Sequence, residues 1–492
     1  MERQHHKRKV EDLQLQLQKF FVKKNSEEAS SIDLRYQSGQ SNTTRSKSYK
    51  KSTSKLDLGP LQDIIQIDLE KHIAIVEPRV TMKDLLQATI PLGLMPPVVP
   101  EFKGITIGGA IMGGAMESSS HHFGSFSDNC NAFEILCGDG TLLRASPSEN
   151  QDIFYGIQGS YGSLGVLVSA ELKLIPTKDF VHLRYHSFSK PGEAIDFIRH
   201  LSHAPTPPDF IDGIVFAKDH SVVMEGNLRS KAHLACHLPC FSLQSLSSPW
   251  YYEHVKKVTS KVNIFEEVMT SKEYLFRYDQ GAFWMGSYLC RLPLLLRFIT
   301  QVICKIGKSK NEKFSKGDIQ KYHNPSGPNP FLRTILHRVV SSQNLWKLFH
   351  KAEKWAQDRL IIQDFCIPEE KSSEFLKEAL ESPGTLPIWL CPIKGTNHPE
   401  IFAHHLSNEP DALFINIGVY GLPSYYAPIE EITKKIERKT KIFSGRKILY
   451  SRSYYTKNEF WEIYSKDAYD LLREKMKAKG VWHEITSKVL CE

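Results

Sequence analysis

The glycine-dense run from Gly104 to Gly124, GITIGGAIMGGAMESSSHHFG, restricts this chain more than any other stretch. Gly108 with Gly109 and Gly113 with Gly114 form two adjacent pairs. A residue without a β-carbon lets another group approach the backbone and adopts dihedrals closed to other residues. Close approach of backbone N–H groups is one way to hold a phosphate, and Ser118, Ser119 and Ser120 add hydroxyls. From the residues alone, a glycine-rich turn between two strands is the commoner reading. The familiar nucleotide motifs are missing. The Gly307-Lys308-Ser309 triplet has Val302 where a Walker A loop needs its first glycine. No GxGxxG run follows a strand pattern, which leaves a Rossmann site unsupported. A second small-residue loop, GSYGSLG, carries Gly159, Gly162 and Gly165.

The patterns on either side suggest an α+β protein. IIQIDLEKHIAIVEP alternates and is β-branched, predicting two strands joined by a turn. TMKDLLQATIPLGL predicts a helix capped by Thr81 and closed at Gly93. NAFEILCGDGTLLRAS predicts a strand, a tight turn and a strand, and GVLVSAELKLIP another strand. Beyond residue 178 strand patterns such as VHLRYHSF and DALFINIGVYG mix with helical ones such as LWKLFHKAEKWAQDRL and IEEITKKIERKT. At 492 residues the chain exceeds one ordinary core. Three regions are expected: a basic amphipathic helix at 1–30, a glycine-rich domain at 31–178, and a substrate or cap domain at 179–492 ending in helices.

The net charge of +8 is compatible with an anionic cofactor or an anionic membrane surface, and equally with a solvated basic face. No motif calls for nucleic acid. Nine cysteines without a CxxC pair argue against a zinc site and for reduced thiols. No secretory signal is expected. Leu13, Leu17, Phe20 and Phe21 recur at helical spacing, predicting an N-terminal helix that packs on the body or lies on a membrane. The most apolar stretch, Tyr288 to Ile306, contains Arg291, Arg297 and Pro293, and so predicts a buried or interfacial segment rather than a spanning one. These readings place the protein in the cytoplasm, with peripheral membrane attachment as the open alternative.

The order of these pieces resembles the FAD domains of the vanillyl-alcohol-oxidase (PCMH) type. It runs from SGQSNTT (38–44) through VEPRVTMKDLL (76–86) and the glycine run to the CGDGT and GSYGSLG segments. The similarity is closest to the delta-24 sterol reductase (diminuto/seladin) family, where VEPxVTM, GGxIMG, ESSSH, DGT, PSEN and DxFY strings recur in this order. PIWLCP (387–392), IGVYG (417–421) and EFWE (459–462) extend it toward the C-terminus. The resemblance implies a two-lobed PCMH-type FAD-binding domain followed by an α/β cap. It implies that Gly39, Gln40, Ser41, Asn42 and Thr43 hold the diphosphate, and that Thr106, Gly108, Gly109, Gly113, Gly114 and Ser118 line diphosphate and flavin. Gly162, Gly165 and Val166 are expected to meet the rest of the FAD. The first loop has no histidine to bond the flavin, so non-covalent FAD is expected.

The implied chemistry is reduction of a C=C bond in the side chain of a sterol-like or isoprenoid lipid, with NADPH as electron donor. The alternative is an FAD-dependent alcohol oxidase or dehydrogenase on the same scaffold. A flavin-free lipid- or partner-binding scaffold is the reading that the intact glycines oppose. The proton that must accompany hydride has candidate sources in His121, Glu117, Tyr278 and Tyr454, with Tyr455 beside the last. Phe283, Trp284, Trp389 and Tyr420 are candidates to wall an apolar slot, although aromatic residues are most often core.

Overall fold

The computed structural model describes residues 2–24, 33–37, 42–45, 50, 53–234, 237–245, 248–288, 340–409 and 411–491. Gly39, Gln40 and Ser41, all of the apolar stretch after Tyr288 and the polar run 307–330 lie outside them.

The first lobe is built on a five-stranded antiparallel sheet in the order Ile64–Asp68, Ile73–Val76, Val166–Lys173, Cys130–Leu136, Leu142–Ala145. The alternating segments at 64–76 pair as a hairpin. Thr81 caps the helix Met82–Thr89 by accepting from the Asp84 N–H, and Gly93 ends the following turn at φ 75°. A parallel two-stranded ribbon, Asp33–Gln37 with Thr53–Asp57, flanks this lobe.

The N-terminal helix Glu2–Lys24 lays its apolar stripe on the first lobe, burying Val10, Leu13, Leu17 and Phe20. Its polar anchors are buried too. Lys9 Nζ lies 2.6 Å from Asp63 and 2.8 Å from Glu77, and His6 lies 2.8 Å from Glu77 and 3.4 Å from Glu134. Its apolar face is therefore spent on the protein. Among the described residues no helix is long and apolar enough to cross a membrane, and no group of three or more His, Cys, Asp or Glu could hold a metal.

The second lobe is an eight-stranded antiparallel sheet in the order Ile264–Thr270, Phe180–Phe188, His220–Arg229, Phe210–Ala217, Ile388–Lys394, Leu413–Gly421, Ile361–Pro368, Arg446–Lys447. Side chains alternate across it with period two. Ile388, Leu390, Ile415, Ile417 and Phe365 face one core, which the helices Pro191–Ser202, Glu369–Glu381 and Ile429–Ile442 cover. Trp389, Cys391, Cys366 and Tyr420 face the other, continuous with the first lobe. That alternation decides which residues of this sheet can reach a site between the lobes.

The closing helices return to the first lobe rather than extending the second. Gly138 N–H donates to Met476 O at 2.8 Å, and a β-carbon on Gly138 would overlap the Lys477 carbonyl. Arg473 donates to Ser163 O at 2.7 Å and Lys488 to Gly162 O at 2.7 Å. The C-terminus thus fixes the second small-residue loop, and the lobe drawn at residues 31–178 is completed by residues beyond 466.

Candidate functional site

The glycine run is a short helix, Ile107–Gly113, rather than a turn. Ile107, Ala110 and Ile111 recur at helical spacing and bury one face. Thr106 caps it by accepting from Gly109 N–H, and Gly114 ends it at φ 65°. Gly108 N–H donates to Pro78 O at 2.8 Å, and a β-carbon there would press on Pro78. The small-residue loop locks alongside: Tyr161 N–H donates to Met112 O at 3.2 Å, and its hydroxyl to Gly113 O at 3.1 Å. The helix therefore presents bare backbone to the space between the lobes.

That space is a cavity of about 1280 Å³, larger than the ~300–1,000 Å³ that one ligand-sized site usually takes. Arg45 and Arg79 line it with the glycines; the Nε of each is buried and has no hydrogen-bond partner among the described residues. The Arg45 guanidinium also sits 4.3 Å from the Tyr161 ring centroid. Glycine backbone beside two guanidinium groups fits a dinucleotide diphosphate. The second lobe contributes rings to the lining: Phe283, Trp389 and Tyr420. Phe283 packs 5.3 Å from both Trp389 and Tyr420, centroid to centroid. Trp346, Phe349 and Trp355 line the cavity too, giving it room for an apolar molecule.

Carboxylates sit in this apolar setting in two groups. Asp364 pairs with Gly418 in the sheet register, so Asn416 and Tyr420 flank it on the same face. Its Oδ1 accepts from Asn416 at 2.7 Å and Tyr420 at 2.6 Å, and its Oδ2 from the Tyr450 hydroxyl at 2.6 Å. A β-carbon on Gly418 would stand 2.8 Å from Asp364 Oδ1. Glu101 lines the same cavity. Burial, with the nearby charges of Glu117 and Asp364, holds its carboxyl well above the usual range. Behind the lining lies a buried ion-pair group. Arg277 reaches Glu117 at 2.8 Å and Asp212 at 3.0 Å, and Asp212 also accepts from Tyr278 at 2.6 Å and from the Trp389 indole at 3.2 Å. Burial raises Glu117 and the Arg277 charge lowers it, with a net value of about 7.

Asn42, Thr43, Thr106, Gly108, Gly109, Gly113, Gly114, Gly162 and Val166 line the cavity. Ser118 and Gly165 stand behind it. The Ser118 carbonyl accepts from Ile211 N–H, and Gly165 packs against Leu136 O, which leaves no room for a β-carbon. None of the four sequence-derived catalytic candidates lines the cavity. The ring of His121 is held between Ser118 O at 3.0 Å and Pro208 O at 2.8 Å, and burial with His122 beside it depresses its pKa to about 3. It is a neutral clamp between backbone segments. Glu117 is taken by Arg277, and Tyr278 by Asp212 behind the Phe283 ring, 4.3 Å away. Tyr454 is anchored by its N–H on Glu437 and stands outside the cavity lining. Trp284 likewise sits behind the wall, donating to Tyr420 O at 2.7 Å. Sequence reasoning passed over Glu101, Asp364, Asn416, Tyr450, Arg45 and Arg79. The legible signal was Glu101, a lone carboxylate in the apolar run PPVVPEF.

A family model described as "FAD binding domain" matches residues 25–146. Delta(24)-sterol reductase of Homo sapiens is 29% identical over 448 residues, covering 90% of this chain and 78% of that protein. Delta(24)-sterol reductase of Arabidopsis thaliana is 28% identical, with the same coverage. The delta(24)-sterol reductase homolog of Caenorhabditis elegans is 25% identical, covering 90% and 80%.

Proposed function

We propose that this protein, a homologue of the delta(24)-sterol reductases with an FAD binding domain, reduces a C=C bond in the side chain of a sterol-like or isoprenoid lipid, with NADPH as donor and non-covalent FAD as carrier. The observation that carries this reading is a single cavity joining a glycine and guanidinium wall to an aromatic, apolar one. Asn42, Thr43, Thr106, Gly108, Gly109, Gly113, Gly114, Gly162 and Val166 would hold the FAD, with Arg45 and Arg79 against its diphosphate. When bound, FAD would supply the hydride chemistry that links the nicotinamide to the alkene.

The remaining work falls to the protein's own residues. Phe283, Trp389 and Tyr420 position a flat apolar substrate and exclude water. The hydrogen bond from Trp389 to Asp212 holds its indole in one orientation against that substrate. Lys488, donating to Gly162 O, fixes the loop that would hold the cofactor. A sterol arrives from a bilayer, so the protein is read as peripheral on a membrane; flotation with anionic liposomes at low salt, weakening as salt is added, tests this.

The direct experiment is incubation of purified protein with NADPH and a side-chain-unsaturated sterol, followed by mass analysis of the sterol. A gain of two hydrogens supports the reading. An unchanged sterol, together with turnover of an alcohol in the presence of oxygen or a quinone, would favour an oxidase or dehydrogenase.

A further inference from the structure

We infer that Glu101 is the proton donor to the substrate alkene, a role that rests on the reductase reading above. An isolated C=C bond has no carbonyl to activate it. The carbon that does not receive hydride must take a proton from an acid that is strong, yet un-ionised at working pH.

Of the carboxyls in the lining, Asp63 is held by Lys9, Asp84 accepts from the Thr81 hydroxyl and Glu2 is exposed; the geometry separates the phenols and carboxyls that remain at or behind the aromatic wall. Tyr420 and Tyr450 both point their hydroxyl protons at Asp364, at 2.6 Å each. Those protons are already engaged, and a phenol is a weak acid; burial and the Asp364 charge push both further up. Asp364 accepts three hydrogen bonds on its two oxygens, so it is held as an acceptor. Glu117, behind the lining, is turned to Arg277. Glu101 is left, on the cavity surface next to Phe102, whose ring meets Phe283 edge-on at 5.9 Å. It stands at the aromatic wall where an apolar substrate would lie.

The charged groups around Glu101 favour its neutral form. Glu117 and Asp364 raise it, Arg277 lowers it, and burial exceeds all of them. In the step, the Glu101 O–H bond breaks and a C–H bond forms at one alkene carbon. The alkene π bond breaks, its electron pair going to that new C–H bond, and hydride supplied by NADPH through the cofactor forms the second C–H bond at the other carbon. The carboxylate left behind takes a proton from water. Asp364, kept in place by Asn416, Tyr420 and Tyr450, is a positioning residue: its charge adds to the burial and the Glu117 charge that keep the Glu101 carboxyl protonated.

Two variants test this, Glu101→Gln and Glu101→Asp, in the FAD-loaded protein. FAD content, the visible spectrum and the rate of bleaching by NADPH are expected to match wild type. Reoxidation by a side-chain-unsaturated sterol is expected to slow by about 100-fold or more in Glu101→Gln and to be partly retained in Glu101→Asp. Independently of turnover, the infrared difference between wild type and Glu101→Gln at neutral pH should contain the C=O stretch of an un-ionised carboxylic acid. Wild-type reoxidation in Glu101→Gln, or absence of that band, overturns the assignment. A wild-type enzyme that NADPH bleaches but no sterol alkene reoxidises removes the reductase reading and the assignment with it.

Discussion

Replacing Arg277 by methionine should expose how the two lobes are held together beneath the cavity. Arg277 is about 1% exposed and is the cation shared by Glu117 of the first lobe and Asp212 of the second. Removing one partner from a buried ion-pair group typically costs about 3–5 kcal/mol, because the remaining charge is left without compensation. The pH dependence is the sharper part. Glu117 has a folded-state value of about 7, raised from 4.5. An acid raised in the folded state costs stability as pH climbs from its unfolded value to its folded one, at about 1.4 kcal/mol per unit. In wild type that loss ends near pH 7. Without the lowering influence of Arg277 the Glu117 value rises further, and the loss continues above pH 7. Urea denaturation of Arg277→Met and wild type at pH 6, 7 and 8 should show a gap that widens above pH 7. Adding Glu117→Gln to the variant should abolish the widening. A gap independent of pH, or unrelieved by Glu117→Gln, would refute the shared-cation account.

Gly418→Val should lose roughly 1–3 kcal/mol of stability from overpacking, since its β-carbon falls against Asp364 Oδ1; thermal melts check this. Gly109→Leu places a side chain in the cavity and should yield colourless protein with near-native circular dichroism. For the N-terminal helix, burial alone would lower His6, but hydrogen bonds and charge from Glu134 and Glu77 outweigh it and raise the value to about 9. That rise from 6.5 is worth about 3 kcal/mol below pH 6.5 and is lost as pH climbs through 9. Amide exchange across residues 2–24 should therefore accelerate selectively above pH 9, and a His6→Ala variant should be fast already at pH 7.

Much of the first lobe was legible because its signals are local. The hairpin at 64–76, the Thr81 cap and the Gly93 stop each need only neighbouring residues. The glycine run was legible as exposed backbone, and its glycines line the cavity, but not as a helix, because glycine is a poor helix former and tertiary packing of Ile107, Ala110 and Ile111 overrides propensity. The cavity's Asp364 group was obscured for a different reason. Asp364, Asn416 and Tyr450 come from three separate segments: the antiparallel register sets Asn416 beside Asp364, and Tyr450 reaches it from the turn after the edge strand Arg446–Lys447. His121 was misleading because adjacency to the glycines in sequence says nothing about which way a ring turns. Its nitrogens close on Ser118 and Pro208 carbonyls, the second of them from the other lobe. The return of the last helices to the first lobe had a signal only in retrospect, in Gly138 and Gly156, whose missing β-carbons make room for Lys477 and Leu472.

The central claim is that one cavity takes hydride from NADPH and delivers it to an unactivated alkene. Anaerobic mixing of the FAD-loaded protein, first with NADPH and then with a side-chain-unsaturated sterol in heavy water, tests it most directly. The flavin absorbance should fall on the first addition and return on the second, with at least one deuterium from solvent in the saturated product. Absorbance that stays low with the sterol and returns only with oxygen or a quinone would contradict the account.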